Sequence, residues 1–220
     1  MKRRRQVRTL GIDEAGRGCV LGDLCIGAFY VESATDAVLR EAGAADSKAL
    51  TAAKRDAARS RLAPHGTGVV RQVTPAQIDV GNLNQLEEET IVELIREFRP
   101  DRVLIDALGH PSTLPKVIDR LRAAVGPDGP SEWVMEPKAD AKFPAVGAAS
   151  IFAKTTRDGL LDAHKGAFGD FGSGYPSDPA TRAWLTSWAR SGRPWPDFVR
   201  TRWATIELVQ QQALFPTAGG

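Results

Sequence analysis

The stretch LGIDEAGRG, Leu10–Gly18, decides how this chain is read. The residues from Val7 to Ile12 are mostly apolar and predict a strand, which ends in two adjacent carboxylates, Asp13 and Glu14. Neighbouring side chains on an extended backbone leave on opposite faces. Asp13 therefore points one way, and the Glu14 backbone carbonyl shares its direction. Such a set offers hard oxygen ligands to a divalent metal. Gly16-Arg17-Gly18 permits a tight turn whose backbone amides stay uncovered, with a guanidinium beside them. The plainer alternative is a hairpin tip with solvated acids, and the acids further along the chain decide against it.

The chain has 220 residues, 42% hydrophobic and 25% charged. Those proportions suit a soluble globular protein built on one compact domain, with length enough for an appended subdomain. Its two cysteines, Cys19 and Cys25, are six residues apart, a poor disulfide framework, so a reducing, cytoplasmic setting is expected. The start, MKRRRQVRTL, carries basic residues that read as a solvated end, without an apolar segment behind them, and Leu24–Val31 is too short to span a bilayer. No membrane association and no obligate protein partner are therefore expected. A net charge of +2 does not itself argue for a nucleic-acid partner.

After the GRG turn, Val20–Val31 reads as one or two strands returning antiparallel to the first. Thr51 is positioned to cap a helix reaching about Leu62, and Gly68–Val73 is a strand candidate. Asn84–Phe98 is a helix with Leu86, Ile91, Leu94, Ile95 and Phe98 on one face. Arg102–Asp106, RVLID, is a strand ending in a third carboxylate. A helix over Thr113–Val125, a strand over Ser131–Glu136, Asp140 and a helix over Pro144–Lys165 follow. This β-α-β alternation predicts an α/β fold, a mixed sheet flanked by helices. Four of the five tryptophans lie beyond Ala180, with Trp184 and Trp188 on one face of a helix opened by Asp178-Pro179. The expected division is a catalytic domain over residues 6–168 and a helical region over 169–215 packed on it.

Asp13, Glu14, Asp106 and Asp140 each sit at or just past a strand end. Converging carboxylates cannot all ionise without cations, and Mg²⁺ or Mn²⁺ suits an all-oxygen donor set. Two such ions activate a water and stabilise the leaving oxygen of a phosphodiester. His110 reads as a loop residue near a helix start, Ser150 as a close-packing residue, and Lys48, Lys138, Lys142 and Lys154 as possible phosphate contacts.

GIDEAGRG, DSK at Asp46–Lys48, IDA around Asp106, KADAKFPAVGAASIFAKTTRD at Lys138–Asp158 and GSGYP at Gly172–Pro176 together resemble the motifs of ribonuclease HII, the type 2 ribonuclease H. KAD and GSGYPSDP look closest to its archaeal and eukaryotic branch. The resemblance runs from about Leu10 to about Ala204. It implies a ribonuclease H-like fold and hydrolysis of RNA in RNA–DNA hybrids, including single ribonucleotides in duplex DNA. It further implies that Asp13, Glu14, Asp106 and Asp140 are the metal-binding acids, and that Gly16, Arg17, Gly18 and Tyr175 read the ribonucleotide and the nucleotide after it. Lys48 would contact a phosphate. Proline usually stands after GRG and again four residues on in this family; here Cys19 and Asp23 occupy those places. Cys19 frees a backbone amide and introduces an oxidisable thiol, and Asp23 adds negative charge. The alternatives are a catalytically silent nucleic-acid-binding protein, opposed by the four intact acids, and another nuclease of the same fold class, such as a junction resolvase, opposed by GRG and Tyr175.

Overall fold

A computed structural model describes residues 6–44 and 50–214. Five strands form one sheet: β1 (Thr9–Ala15), β2 (Leu24–Val31), β3 (Thr67–Val73), β4 (Arg102–Asp106) and β5 (Glu132–Glu136). Their order across the sheet is β3-β2-β1-β4-β5. β1 pairs antiparallel with β2 and parallel with β4, and β5 extends the parallel half. The sheet is thus mixed, as the alternation of elements predicts.

Two helix layers cover it. On one face lie α4 (Leu83–Phe98) and α5 (Leu114–Val125), burying Leu10 and Ile12 of β1 with Ile91, Leu94, Ile95, Val117 and Leu121. On the other lies the long α7 (Pro144–Phe168), flanked by α1 (Asp36–Glu41) and α2 (Ala52–Leu62) around Phe29, Leu39, Leu62 and Phe152. Alternation along β1 sends Leu10 and Ile12 to the α4 face and Gly11 and Asp13 to the α7 face. The short α3 (Pro75–Val80), opened by a Thr74–Gln77 capping box, leads into α4, and α6 (Ala139–Lys142) joins β5 to α7. The C-terminal helices α8 (Pro179–Arg190) and α9 (Ala204–Leu214) enclose Phe171, Leu185, Phe198 and Ile206, joined by Val20, Leu21 and Leu161 from the body of the fold. Trp184 stacks on Trp188 at 5.0 Å, and the Trp184 indole N–H donates to the Phe168 carbonyl.

The sequence boundaries hold closely for α2, α4, β3, β4 and β5, and for the start of α8, where side-chain caps and prolines mark the ends. Thr51, Asn82 and Asp178 all accept from backbone amides as N-caps. Three details differ. The strand after GRG starts only at Leu24, because Gly22 adopts a left-handed φ of +84° and Leu21 leaves the sheet to bridge Val199. Short α1 and weakly amphipathic α9 carried too little periodicity to be foreseen. Arg8, expected to be part of a solvated start, instead forms a forked pair with Asp101. Residues 2–5 and the DSK motif lie outside the described residues. Among the described residues, no helix is long and apolar enough to cross a membrane.

α7 sits almost on the backbone of the sheet. A Cβ at Gly11 would lie 2.2 Å from the Ala145 carbonyl carbon, and one at Gly27 would lie 2.3 Å from the Ala149 oxygen. Both clashes are with helix backbone, which cannot rotate aside. Gly27→Ala and Gly11→Ala are each expected to lower unfolding free energy by about 1–3 kcal/mol or more. Gly159→Ala, on the exposed side of α7 with open space around it, is expected to raise it by roughly 0.5–1 kcal/mol. Urea denaturation of the three variants checks both signs.

Candidate active site

The carboxyl ends of β1 and β4 open into a cleft of about 410 Å³. Asp13, Glu14 and Asp106 line it together with Gly16, Arg17, Gly18, Lys154, Arg157 and Tyr175. Asp13 is buried against α7, where Ser150 hydrogen-bonds its carboxylate and Lys154 in turn donates to the Ser150 hydroxyl at 2.9 Å. Asp13 Oδ1 also accepts from the Glu14 amide at 2.8 Å. Burial, reinforced by the nearby Asp106, still pushes the Asp13 carboxyl up to about 6. Glu14 leaves β1 on the opposite face, as alternation requires. Burial pushes its carboxyl well above the usual carboxylate range, and Asp13, Glu87 and Asp106 add to that. Its Oε2 is buried without a hydrogen-bond partner among the described residues.

Asp106 closes β4, and its Oδ1 accepts from the Ala139 amide at 2.8 Å, which docks α6 beside the strand end. Asp140 is therefore next to the site, but it is buried, caps the Ala141 amide and does not line the cleft. Among the described residues, no group of three His, Cys, Asp or Glu side chains stands ready to hold a metal ion. The donor set nonetheless fits a hard cation. Two buried acids with raised affinity for protons, one with an orphaned oxygen, form a site that a divalent ion would relieve.

The GRG turn is held from three sides. Gly16 takes a left-handed φ of +89°, and a Cβ there would come within 2.7 Å of the Asp23 carbonyl, so glycine is required. Arg200, fully buried, donates to the carbonyls of Gly16, Arg17 and Gly22 at 2.7, 3.0 and 3.0 Å. The Arg17 side chain turns to α4, bonding Asn84 Oδ1 at 2.5 Å and pairing with Glu87 at 3.3 Å. Gly18 faces Tyr175: a methyl group at Gly18 would lie 3.8 Å from Tyr175 Cε1. Tyr175 remains 39% exposed on the cleft wall. Its loop is fixed by the Val20 amide donating to the Gly174 carbonyl and by Asp178 accepting from the Ser173 amide and hydroxyl.

The structure thus gathers Asp13, Glu14, Asp106, Gly16, Arg17, Gly18 and Tyr175 at one cleft and leaves Asp140 beside it. Lys48 lies outside the described residues. Lys142 is paired with Glu136, and His110 accepts from the Ser112 amide to cap a short turn. Asp23 stands near Arg200 and His164 and does not line the cleft. Cys19 is fully buried, and desolvation pushes its thiol up, away from the reactive thiolate, contrary to the expected oxidative sensitivity. Both cysteines are free. Four participants were missed. Ser150 reads as packing in AAS but binds Asp13. Arg157 is inside the long motif without any spacing cue. Glu87 sits among other helix acids. Arg200 is one of five arginines between Ala180 and Arg202.

Acids at the ends of parallel strands, bordered by cations and covered by a small-residue helix, define a ribonuclease H-like fold with a nuclease-type cleft. Residues 10–206 match the sequence model of the family described as Ribonuclease HII. The Ribonuclease HII of Methanosarcina acetivorans is 36% identical, covering 92% of this chain and 95% of that one. That of Archaeoglobus fulgidus is 37% identical, covering 93% and 97%. The crystal structure of ribonuclease H2 from Pyrococcus horikoshii OT3 superimposes with a TM-score of 0.83 at 35% identity, covering 94% of this chain and 99% of that one. The RNase HII solved in complex with PCNA from Archaeoglobus fulgidus gives 0.81 at 35% identity, covering 92% and 97%. Bst-RNase HIII in complex with Mn²⁺ shares the fold alone, at 18% identity, a TM-score of 0.74 and coverage of 94% and 70%. The chain belongs to the ribonuclease HII family.

Glu87 yields a pH test. Burial pushes its carboxyl from 4.5 to about 7 despite the Arg17 guanidinium beside it. Its folded value lies above its unfolded one, so the folded chain holds the extra proton between those limits. Ionised Glu87 therefore costs stability above pH 7, and that cost disappears as pH falls towards 4.5. Glu87→Gln is expected to raise the urea midpoint at pH 8 and to reduce the gain in stability seen between pH 8 and pH 5. Chelator-treated wild type and variant, compared at the two pH values, check this.

Proposed function

We propose that this chain is an endoribonuclease that hydrolyses RNA in RNA–DNA hybrids. On duplex DNA holding a lone ribonucleotide, it incises on the 5′ side, leaving a 3′-hydroxyl and a 5′-phosphate. The observation that carries this reading is the placement of Gly18 against Tyr175 in the cleft that also holds Asp13, Glu14 and Asp106. Backbone groups of the GRG turn bond the 2′-hydroxyl, the group that separates RNA from DNA. The Tyr175 ring stacks under the next sugar, where a second 2′-hydroxyl would intrude. Arg200 keeps the turn rigid from below, and Ser150 holds the Asp13 carboxylate in one orientation.

Mg²⁺ or Mn²⁺, two ions in this reading, would be held by Asp13, Glu14, Asp106 and Asp140. Bound there, they would polarise a water and offset charge on the scissile phosphate. Lys154, beside the acids, and Lys48 balance the charge of the substrate backbone. Residues 169–215 form a helical region that completes the catalytic domain of residues 6–168, an arrangement supported by the shared apolar cluster of Val20, Leu21 and Phe198. The protein acts in the cytoplasm on RNA–DNA hybrid and ribonucleotide-containing duplex.

Asp106→Asn is expected to lower turnover by roughly 10²–10³ or more while leaving duplex affinity largely intact, because it removes charge stabilisation and not a phosphate contact. Asp140→Asn, set back from the cleft, is expected to be milder and to recover with added Mn²⁺. Single-turnover cleavage alongside equilibrium binding checks both; unchanged turnover in Asp106→Asn would remove that residue from the site.

Tyr175→Ala is expected to cost about 1–3 kcal/mol on a lone-ribonucleotide duplex and less on a continuous hybrid. An all-DNA duplex should be rejected by orders of magnitude, since the polar groups meant for the 2′-hydroxyl would go unpaired. The rates are compared at one salt concentration. Cleavage of all-DNA duplex at a similar rate would sink the ribonuclease reading and favour the resolvase-like one.

A further inference from the structure

We propose that Arg157 is a positioning residue for junction reading: its guanidinium ties the GSGYP loop to the segment after GRG and so sets the Tyr175 ring opposite Gly18. This rests on the reading that the cleft recognises ribonucleotide junctions. Arg157 projects from α7 and is 7% exposed. Its Nη2 donates to Cys19 Sγ at 3.0 Å and to the Ser173 carbonyl at 2.5 Å. Its Nη1 donates to Asp158 Oδ1 at 3.3 Å, and Cζ stands 5.2 Å from the centre of the Tyr175 ring. A Cβ at Gly16 would come within 3.1 Å of Arg157 Cδ and Nε. One side chain thus touches both halves of the reading device, the turn and the stacking platform.

Apart from the Ser173 hydroxyl held by Asp178, the other restraints on the GSGYP loop act on its backbone. Val20 holds Gly174, Asp178 holds Ser173, and Thr181 accepts from the Gly174 amide. Around the ring stand Gly18 and the Arg157 guanidinium, with the Cys19 thiol near enough to act on the phenol. Arg157 Nε is buried without a hydrogen-bond partner among the described residues. Leaving such a group unpaired is costly, so its place is dictated by what the other two nitrogens and the ring require. One nitrogen that bonds sulfur and carbonyl, a second that reaches Asp158 and a plane set against a ring are a task for arginine; a lysine ammonium has one nitrogen and no planar face. Cys19 joins the same device as the acceptor on the GRG side.

The test measures kcat/KM on a lone-ribonucleotide duplex and on a continuous RNA–DNA hybrid, at one salt and one metal concentration. The proteins are wild type, Arg157→Gln, Arg157→Lys, Cys19→Ala, Tyr175→Ala and the double variant Arg157→Gln/Tyr175→Ala. Arg157→Gln is expected to reduce the preference for the lone ribonucleotide about tenfold, within the range for a lost stacking platform. Arg157→Lys keeps part of that preference, and Cys19→Ala shows a smaller fall. In the Tyr175→Ala background the Arg157 change leaves the preference ratio the same within about twofold, because Arg157 acts through the ring. Thermal midpoints separate folding from positioning, and should Arg157→Gln fail to fold, Cys19→Ala alone and on Tyr175→Ala decides. Equal losses on both substrates overturn the proposal. If the salt slope also drops by about 0.9, Arg157 is a phosphate contact instead. Multiplicative losses in the double variant overturn it as well. A wild type without any preference for ribonucleotide junctions overturns the functional reading itself.

Discussion

The close seat of α7 on the sheet is the constraint on which the other features depend. Gly11 and Gly27 carry no side chain, and the facing stretch of the helix is Ala, Gly and Ser apart from Val146, so helix and sheet backbones approach until a single methyl group would collide. That approach brings Ser150 to Asp13 and lays Lys154 and Arg157 along the cleft wall. A wider spacing would leave the β1 carboxylates facing water and the cations of α7 out of reach. Packing and chemistry share one residue pattern here, and the small residues of AVGAAS serve both.

Charge is distributed in two layers around that seat. In the cleft, burial raises the proton affinity of Asp13 and Glu14, an unfavourable arrangement that an oxygen-seeking cation would relieve. Behind it, Arg200 makes three side-chain hydrogen bonds among the described residues, all of them to carbonyls. Burial pulls its guanidinium down to about 10, still well above neutrality, so it stays charged beneath the GRG turn. The turn therefore sits over a fixed positive charge, a favourable place for a phosphate to approach. Arg200 comes from the segment between α8 and α9, so the C-terminal region is part of the site's support.

The sequence by itself determined the order of the strands and the main helices, the ends marked by caps, and the acid positions. Thr51 and Asp178 mark boundaries through local backbone chemistry, which needs no distant partner. RVLID and GIDEAGRG read as strands ending in acids, and with GSGYP and KAD they carried the family resemblance. Only the tertiary structure decided which neighbours those residues meet. It turned Arg17 toward Glu87, set Asp140 back from the cleft, gave Ser150 to Asp13, buried Cys19 and joined Arg157 to both the turn and the Tyr175 loop. These contacts span up to 184 residues along the chain, as between Gly16 and Arg200. Periodicity and caps report on residues within a few positions of each other. A buried arginine and a solvated one have the same local pattern, and only the packing of α7 and the C-terminal helices against β1 tells them apart.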